Sequence, residues 1–212
     1  MTMLDWAEYT KFFLALLVIV NPLGALPVFI TMTAGTSSKQ KKHIAFTASV
    51  AVAVVLVVAA VGGQPLLAFF GISIASFKVG GAILILLLAI SMMHAMPARE
   101  KQTPEEAEEA VDKDSIAVVP LAIPLLSGPG AISTTIIYAT AQPSLAHTGM
   151  IIACCLLISL TIWGALRVAT PVSRWLGKTG VNIAIRIMGL LLAAVAVEIF
   201  ASGLLVLLPG LR

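Results

Sequence analysis

Pro124-Leu125-Leu126-Ser127-Gly128-Pro129-Gly130 is the stretch whose reading decides the fold. It lies inside an apolar run from Ile116 to about Ala141, long enough to cross a bilayer. Two prolines and two glycines in seven residues cannot continue an α-helix. Each proline removes a donor and clashes with the preceding turn, and each glycine is costly in a helix interior. In hydrocarbon such a break survives only where the freed backbone groups find protein, water or ligand. The same proline-to-proline spacing stands 102 residues earlier, in Pro22-Leu23-Gly24-Ala25-Leu26-Pro27, again inside an apolar run. Two broken spans at matching positions of two halves point to a transporter binding site.

Composition supports a membrane chain. Of its 212 residues, 59% are hydrophobic and 11% charged, against roughly half and a quarter in a soluble domain. Mean hydropathy is +1.06. The charges cluster and leave apolar runs at about 8–32, 44–62, 72–94, 116–141, 147–167 and 182–208, which predict six spans. Asp5, Glu8 and Lys11 give no basic leader, so the first span is expected to stay in the protein. Cys154 and Cys155 are neighbours in one run and point in different directions on a helix, which indicates neither a disulfide framework nor a metal site. No cofactor is expected.

The basic residues divide by loop. Lys39, Lys41 and Lys42, then Arg99, Lys101 and Lys113, then Arg167, Arg174 and Lys178 fall on one side, whereas Lys11 and Arg212 are alone on the other. Nine against two places the charged segments in the cytoplasm and both termini in the periplasm. The segment from about 95 to 115 is bounded by Pro97 and Pro104 and reads as a cytoplasmic linker. It separates a first repeat, about 5–94, from a second, about 116–208, within one transmembrane domain spanning 1–212. Pro22 aligns with Pro124 and Pro27 with Pro129 at a spacing of 102; in the third spans Lys78-Val79-Gly80-Gly81 aligns with Arg186-Ile187-Met188-Gly189 at 108. Three spans per half is odd, so the halves insert in opposite directions. The expected fold class is an all-α membrane protein of six helices in two inverted three-helix repeats, with helices 1 and 4 broken near mid-membrane.

After each break a fresh helix presents unpaired N–H groups and a partial positive charge, suited to an anion or carboxylate. The candidate substrate-binding residues are Asn21, Pro22, Gly24 and Ala25 in the first half and Ser127, Gly128, Gly130, Ser133 and Thr134 in the second. The amides of Gly130, Ala131 and Ile132 are the expected donors, Asn21 offers a carbonyl and an amide, and the small residues let backbone approach a small solute. The plainer alternative is a pair of kinked helices that only pack closely. Lys78, Arg186 and Glu198 are the clear charges within spans, and burying one at the bilayer centre costs at least roughly 2.5–3.5 kcal/mol. They read as coupling or gating residues, with Lys78 and Glu198 at similar depth, or as two snorkelling cations and a structural ion pair. His43, His94 and His147 sit at span edges as interface residues, and Trp6, Trp163 and Trp175 as interfacial anchors. Ser127-Gly128-Pro129-Gly130 lacks a nearby base for a serine nucleophile, and no nucleotide loop or metalloprotease motif is present, so no enzyme is expected.

These residues resemble the MarC family of bacterial and archaeal inner-membrane proteins, in its YchE-like branch, over nearly the whole chain. The resemblance rests on Asn21-Pro22-Leu23-Gly24 with Pro27, Phe70-Gly71-Ile72-Ser73-Ile74, Phe77-Lys78-Val79-Gly80-Gly81 and Val119-Pro120-Leu121-Ala122-Ile123-Pro124. It continues through Ser127-Gly128-Pro129-Gly130-Ala131-Ile132 and Arg186-Ile187-Met188-Gly189-Leu190-Leu191-Leu192. Lys78-Val79 departs from the more common Arg-Ile. The family is similar to SnatA-type small neutral amino acid transporters, which implies movement of glycine or alanine across the inner membrane, driven by a proton or sodium gradient. The partners implied are a small zwitterionic substrate and the lipid bilayer, without nucleic acid; a homo-oligomer is compatible. The alternatives are an exporter of another small metabolite and a non-transporting structural or sensory membrane protein.

Overall fold

The computed structural model describes residues 6–33, 35–94, 126–142 and 144–211. The linker expected at 95–115, the first part of the fourth span (116–125, with Pro124) and Arg212 lie outside them. All regular structure among the described residues is helical: α1 (Trp6–Val20), α2 (Pro22–Met32), α3 (Ser38–Phe69), α4 (Ile74–Met93), α5 (Pro129–Ala139), α6 (Leu145–Arg167), α7 (Ala169–Leu207) and a closing 3-10 turn, Pro209–Leu211. Five stretches are long and apolar enough to cross a membrane: Trp6–Met32, Ser38–Phe69, Ile74–Met93, Leu145–Arg167 and Thr179–Leu207. The protein is an all-helical, multi-pass membrane protein.

Three boundaries differ from the sequence reading. α3 has 32 residues, about 48 Å of rise, and absorbs both flanks of the expected 44–62 span. Its start is fixed by a capping box, in which Ser37 Oγ accepts from Gln40 N at 3.2 Å and Gln40 Oε1 accepts from Ser37 N at 3.1 Å. Its end runs through Gly62-Gly63 and Pro65 to Phe69, so most of the loop expected at 63–71 is helix. Gly63 has a packing reason to remain helical, since a Cβ there would overlap Ile136 of α5. The segment expected as a loop at 168–181 is also largely helical, broken only at Gly177, whose φ of 63° turns the chain into the last span. Pro27 does not break its helix. It lies inside α2, and the single interruption of the first span is at Asn21.

The core is built on α5. Eight of its 11 residues are buried, including Gly130, Ala131, Ser133, Thr134 and Thr135. α3 approaches it at Gly63 and α4 at Gly81, where an added Cβ would lie 3.0 Å from the Ser133 Cβ. α4 and α7 form the longest contact and run antiparallel. Gly189 meets Ala89 and Met92, whereas Gly203 meets Ala75, Lys78 and Val79, with carbonyl oxygens 3.0 Å from where either Cβ would stand. Such small-residue contacts are how membrane helices gain dispersion when lipid supplies no hydrophobic drive. Leu84, Leu87, Leu156, Leu160 and Leu190 point outward from α4, α6 and α7 and are well exposed. In water this would be a liability; in a membrane it is the lipid face.

Corresponding points recur at one spacing. α2 and α5 each have 11 residues and proline at their first position, Pro22 and Pro129. Each ends on a threonine whose hydroxyl donates to the carbonyl four residues back, Thr33 to Phe29 at 2.7 Å and Thr140 to Ile136 at 2.8 Å. The helix after each begins beyond a serine, Ser37 and Ser144. Every pair is 107 residues apart. At this spacing Pro22 corresponds to Pro129, whereas Pro124, its expected match, lies outside the described residues; the six-residue difference from the third-span spacing of 108 becomes one. α2 packs on α6 and α7, while α5 packs on α3 and α4, so each short helix sits in the opposite half.

Candidate functional site

Asn21 makes the first break. It is the one residue other than glycine with positive φ among the described residues, at φ 50° and ψ 65°. Asparagine tolerates this left-handed conformation better than most side chains. Its Oδ1 accepts from Gly24 N at 3.1 Å and caps α2. The expected free carbonyl is therefore engaged, and the Nδ2 amide is what remains to offer. Gly24 serves this cap, because any Cβ there would overlap the Asn21 side chain. Pro22 brings no N–H to the carbonyl of Val18, and Gly24 N, bonded to Asn21, is withheld from that of Val20. The C-terminal end of α1 thus presents carbonyls and the negative pole of its dipole.

The second break opens α5. Gly128 is its N-cap, with no side-chain hydrogen bond to the cap, and Pro129 follows at the first position. The amides of Ala131 and Ile132 both return to the Gly128 carbonyl, at 2.9 and 3.2 Å. Of the three expected amide donors this leaves Gly130. An added Cβ at Gly130 would lie 3.4 Å from side-chain atoms of both Ile19 and Ile85. Its missing side chain is therefore a packing contact between α5, α1 and α4, not open room for a solute. That contact has a second consequence. It sets the positive end of α5 against the last turn of α1, two residues before Asn21, so the two breaks meet.

Hydroxyls sharpen the picture. Across the spans they mostly bond back to the carbonyl four residues earlier, as Thr31, Thr33, Ser49, Thr135, Thr148 and Thr161 do. Ser127, Thr134 and Ser159 break this rule: they are 1%, 0% and 6% exposed and their hydroxyls have no partner. A buried hydroxyl without a partner costs about 1–3 kcal/mol. Two of the three stand in the sequence-predicted set, at the mouth of α5 and one residue before Thr135. Ser133 is also buried, against Gly81. Ala25 is buried in the core and Pro22 beside it.

The charged candidates do not converge. Lys78 is half-buried with its Cβ against Gly203, while Arg186 and Glu198 are exposed on α7. Gly203, not Glu198, stands opposite Lys78, and the expected Lys78–Glu198 pair is not formed. At the end of α6 the Arg167 guanidinium lies 4.9 Å above the Trp163 ring.

The pattern of the MarC family, described as an integral membrane protein family, matches residues 6–208. The chain belongs to the MarC family. A UPF0056 membrane protein of Escherichia coli K12, YhcE, is 40% identical over 210 residues, covering 99% of this chain and 98% of its own. Those of Aquifex aeolicus and Methanocaldococcus jannaschii are each 36% identical, covering 95% and 92% of this chain and 96% and 86% of theirs. No solved structure matches. The relatives' names describe membrane proteins and nothing finer, so a function for this MarC protein has to come from its own chemistry.

Two features of the MarC chain had no sequence signal. Ser159 is one serine in an apolar span. His147 looked like an interface residue but is 2% exposed. Its Nε2 lies 2.8 Å from the Tyr138 carbonyl, which can only accept, so Nε2 carries a proton. In the neutral ring Nδ1 then accepts from Tyr9 Oη, 2.9 Å away. Three elements are clasped: α1, the end of α5 and the start of α6. Neither signal lies in spacing or composition; both need the tertiary packing.

Proposed function

We propose that this MarC protein is a secondary transporter of small neutral amino acids of the glycine and alanine type. In this reading its six spans form two three-helix halves inserted in opposite directions in the inner membrane, with both termini periplasmic. The substrate sits where the two breaks meet, and a proton or sodium gradient drives it. One observation carries the proposal: the Gly130–Ile19 contact sets the positive end of α5 against the negative end of α1. A small zwitterion needs that pair of poles. Its carboxylate takes the Gly130 N–H, with hydroxyls of Ser127 and Thr134 as further donors; its ammonium takes carbonyls of α1. The Asn21 amide is a further donor to the carboxylate. No charged side chain is required, which suits a solute of zero net charge. The recurrent 107-residue spacing supports the opposed halves, because repeats of this kind place substrate at their interface.

The experiment is uptake into proteoliposomes from a panel of labelled amino acids, with proton and sodium gradients imposed separately. Glycine and alanine should accumulate under one of the gradients. Thr134→Val, which keeps the shape and removes the unpartnered hydroxyl, should raise the apparent KM about tenfold or more, on the scale of a charge-assisted hydrogen bond. Accumulation of a different metabolite would move the protein to another substrate class. Flux of no solute would leave the breaks as packing features of a structural or sensory protein.

A further inference from the structure

We propose that the Tyr9–His147–Tyr138 clasp is the latch of a gate, set between the end of the bundle where α1 begins and the meeting point of the two breaks; this rests on the transport reading above. Two contacts fix how α1 and α5 lie. Ile19 meets Gly130 at the breaks, and nearer the start of α1 the Phe12 ring lies 4.9 Å from the Tyr138 ring. These contacts are seven residues apart on α1 and eight on α5, about 10.5 and 12 Å of rise, so the helices run antiparallel with their registers in step. Between the contacts Leu16 is fully buried on α1, and on α5 Thr134 stands four residues from each. A solute at the breaks moves along this seam only when α1 and α5 part.

Each helix is a lever on a break. α1 joins α2 through Asn21, a single non-helical residue, and α5 starts at Gly128, which makes no side-chain cap. The joints that hold the free ends together are polar and lie far from those breaks. Tyr9 Oη donates to His147 Nδ1 at 2.9 Å, and His147 Nε2 donates to the Tyr138 carbonyl at 2.8 Å. At the exposed rim Gln142 Nε2 donates to the Glu8 carboxylate at 3.2 Å. Phe12, one turn inward from Tyr9 and fully buried, closes the seam against Tyr138. Tyr9 is 12 residues from Asn21, about 18 Å of rise, so a tilt of α1 about Asn21 displaces Tyr9 most and Ile19 least. The chemistry of the joint suits a latch rather than a weld. Once the seam is wetted, its hydrogen bonds are exchanged for bonds to water, so their net hold is modest and reversible.

Two measurements test it on the full-length protein in proteoliposomes, with glycine as the solute and with Cys154→Ala and Cys155→Ala as background. The first locks the rim. Glu8→Cys with Gln142→Cys, bridged by a short bis-maleimide whose spacer holds a reducible disulfide, should lose glycine flux, and reduction of the spacer should restore it. Flux that survives the bridge would overturn the gate and leave the transport reading standing. The second reads the latch. Tyr9→Phe keeps the ring and removes the hydroxyl. It should raise the rate at which a membrane-impermeant maleimide modifies Leu16→Cys by about fivefold, the scale of one net hydrogen bond. Leu166→Cys, buried at the other end of α6, should label no faster. An unchanged rate at Leu16→Cys would overturn the latch; an equal rise at both positions would mean general loosening and overturn it too. Wild-type protein that moves no glycine would overturn the transport reading, and the gate with it.

Discussion

Asn21 carries the first break through two properties at once, its backbone conformation and its side-chain cap. Alanine keeps neither. Asn21→Ala should destabilise the protein by about 1–3 kcal/mol, combining a lost N-cap with a left-handed alanine. Asn21→Gly should cost clearly less, since glycine accepts φ of 50° without strain and serves acceptably as a cap. Chemical unfolding in detergent would compare them, and equal losses would show that the backbone conformation there does not matter. The sequence made Asn21 conspicuous because it precedes a proline. Which of its atoms is left for a ligand was not legible, because that depends on the rotation that brings Oδ1 onto Gly24. Ser127 and Thr134 were legible as polar residues beside a break. Ser159 was not, because a hydroxyl in a span normally satisfies itself.

Helix existence was readable from apolar run length, whereas helix ends were decided by packing and caps. α3 overran Gly62-Gly63 because Gly63 is pressed against Ile136, and α2 overran Pro27 because one missing donor is tolerable within a helix held by neighbours. The third-span glycines, alike in sequence, separate in three dimensions. Gly80 has nothing within 4 Å of where its Cβ would stand, whereas Gly203 faces the Ala75 carbonyl at 3.0 Å, a backbone atom that cannot swing aside. Gly80→Val, on an exposed helix face, should therefore change stability by about 0.5 kcal/mol or less. Gly203→Val should force α4 and α7 apart at about 1–3 kcal/mol or more, as overpacking does. Melting temperatures in one detergent would rank them, and a reversed order would contradict the antiparallel α4–α7 contact. The charges on these helices follow the same register. Glu198 is five residues short of Gly203, about 7.5 Å along the axis from the level of Lys78. Lys78→Ala and Glu198→Ala should then combine additively, within about 0.5 kcal/mol in a double-mutant cycle. A coupling larger than that would restore the ion pair.

At the scale of the molecule, the proposed duplication was read in sequence at a spacing of 102, whereas matching helix positions recur at 107. Prolines are easy to align by type, and Pro22 with Pro124 kept Pro27 with Pro129; the fold instead equates residues by their place in a helix, first position with first position. The spacing of 107 lies beside the third-span spacing of 108, which supports the proposed duplication of a three-span unit. Opposed insertion then has one observable consequence. If the halves are inverted, the end of the third span in each half lies on opposite sides of the membrane, so the chain after α4 and the chain after α7 must differ in compartment. The nine-to-two division of basic residues predicts cytoplasm after α4 and periplasm after α7. Reporter fusions following Arg212 should be periplasmic in activity and those within 95–115 cytoplasmic. A third fusion must move from the loop first expected at 63–71 to residues 70–73, because α3 is helical through Phe69 and a reporter inside it would disrupt the span. That site should also read as periplasmic. A cytoplasmic reading after Arg212, with 95–115 cytoplasmic as well, would give the second half an even number of crossings. The two halves could not then be inverted copies, and the pairing of Pro22 with Pro129 would be a likeness of local helix starts alone.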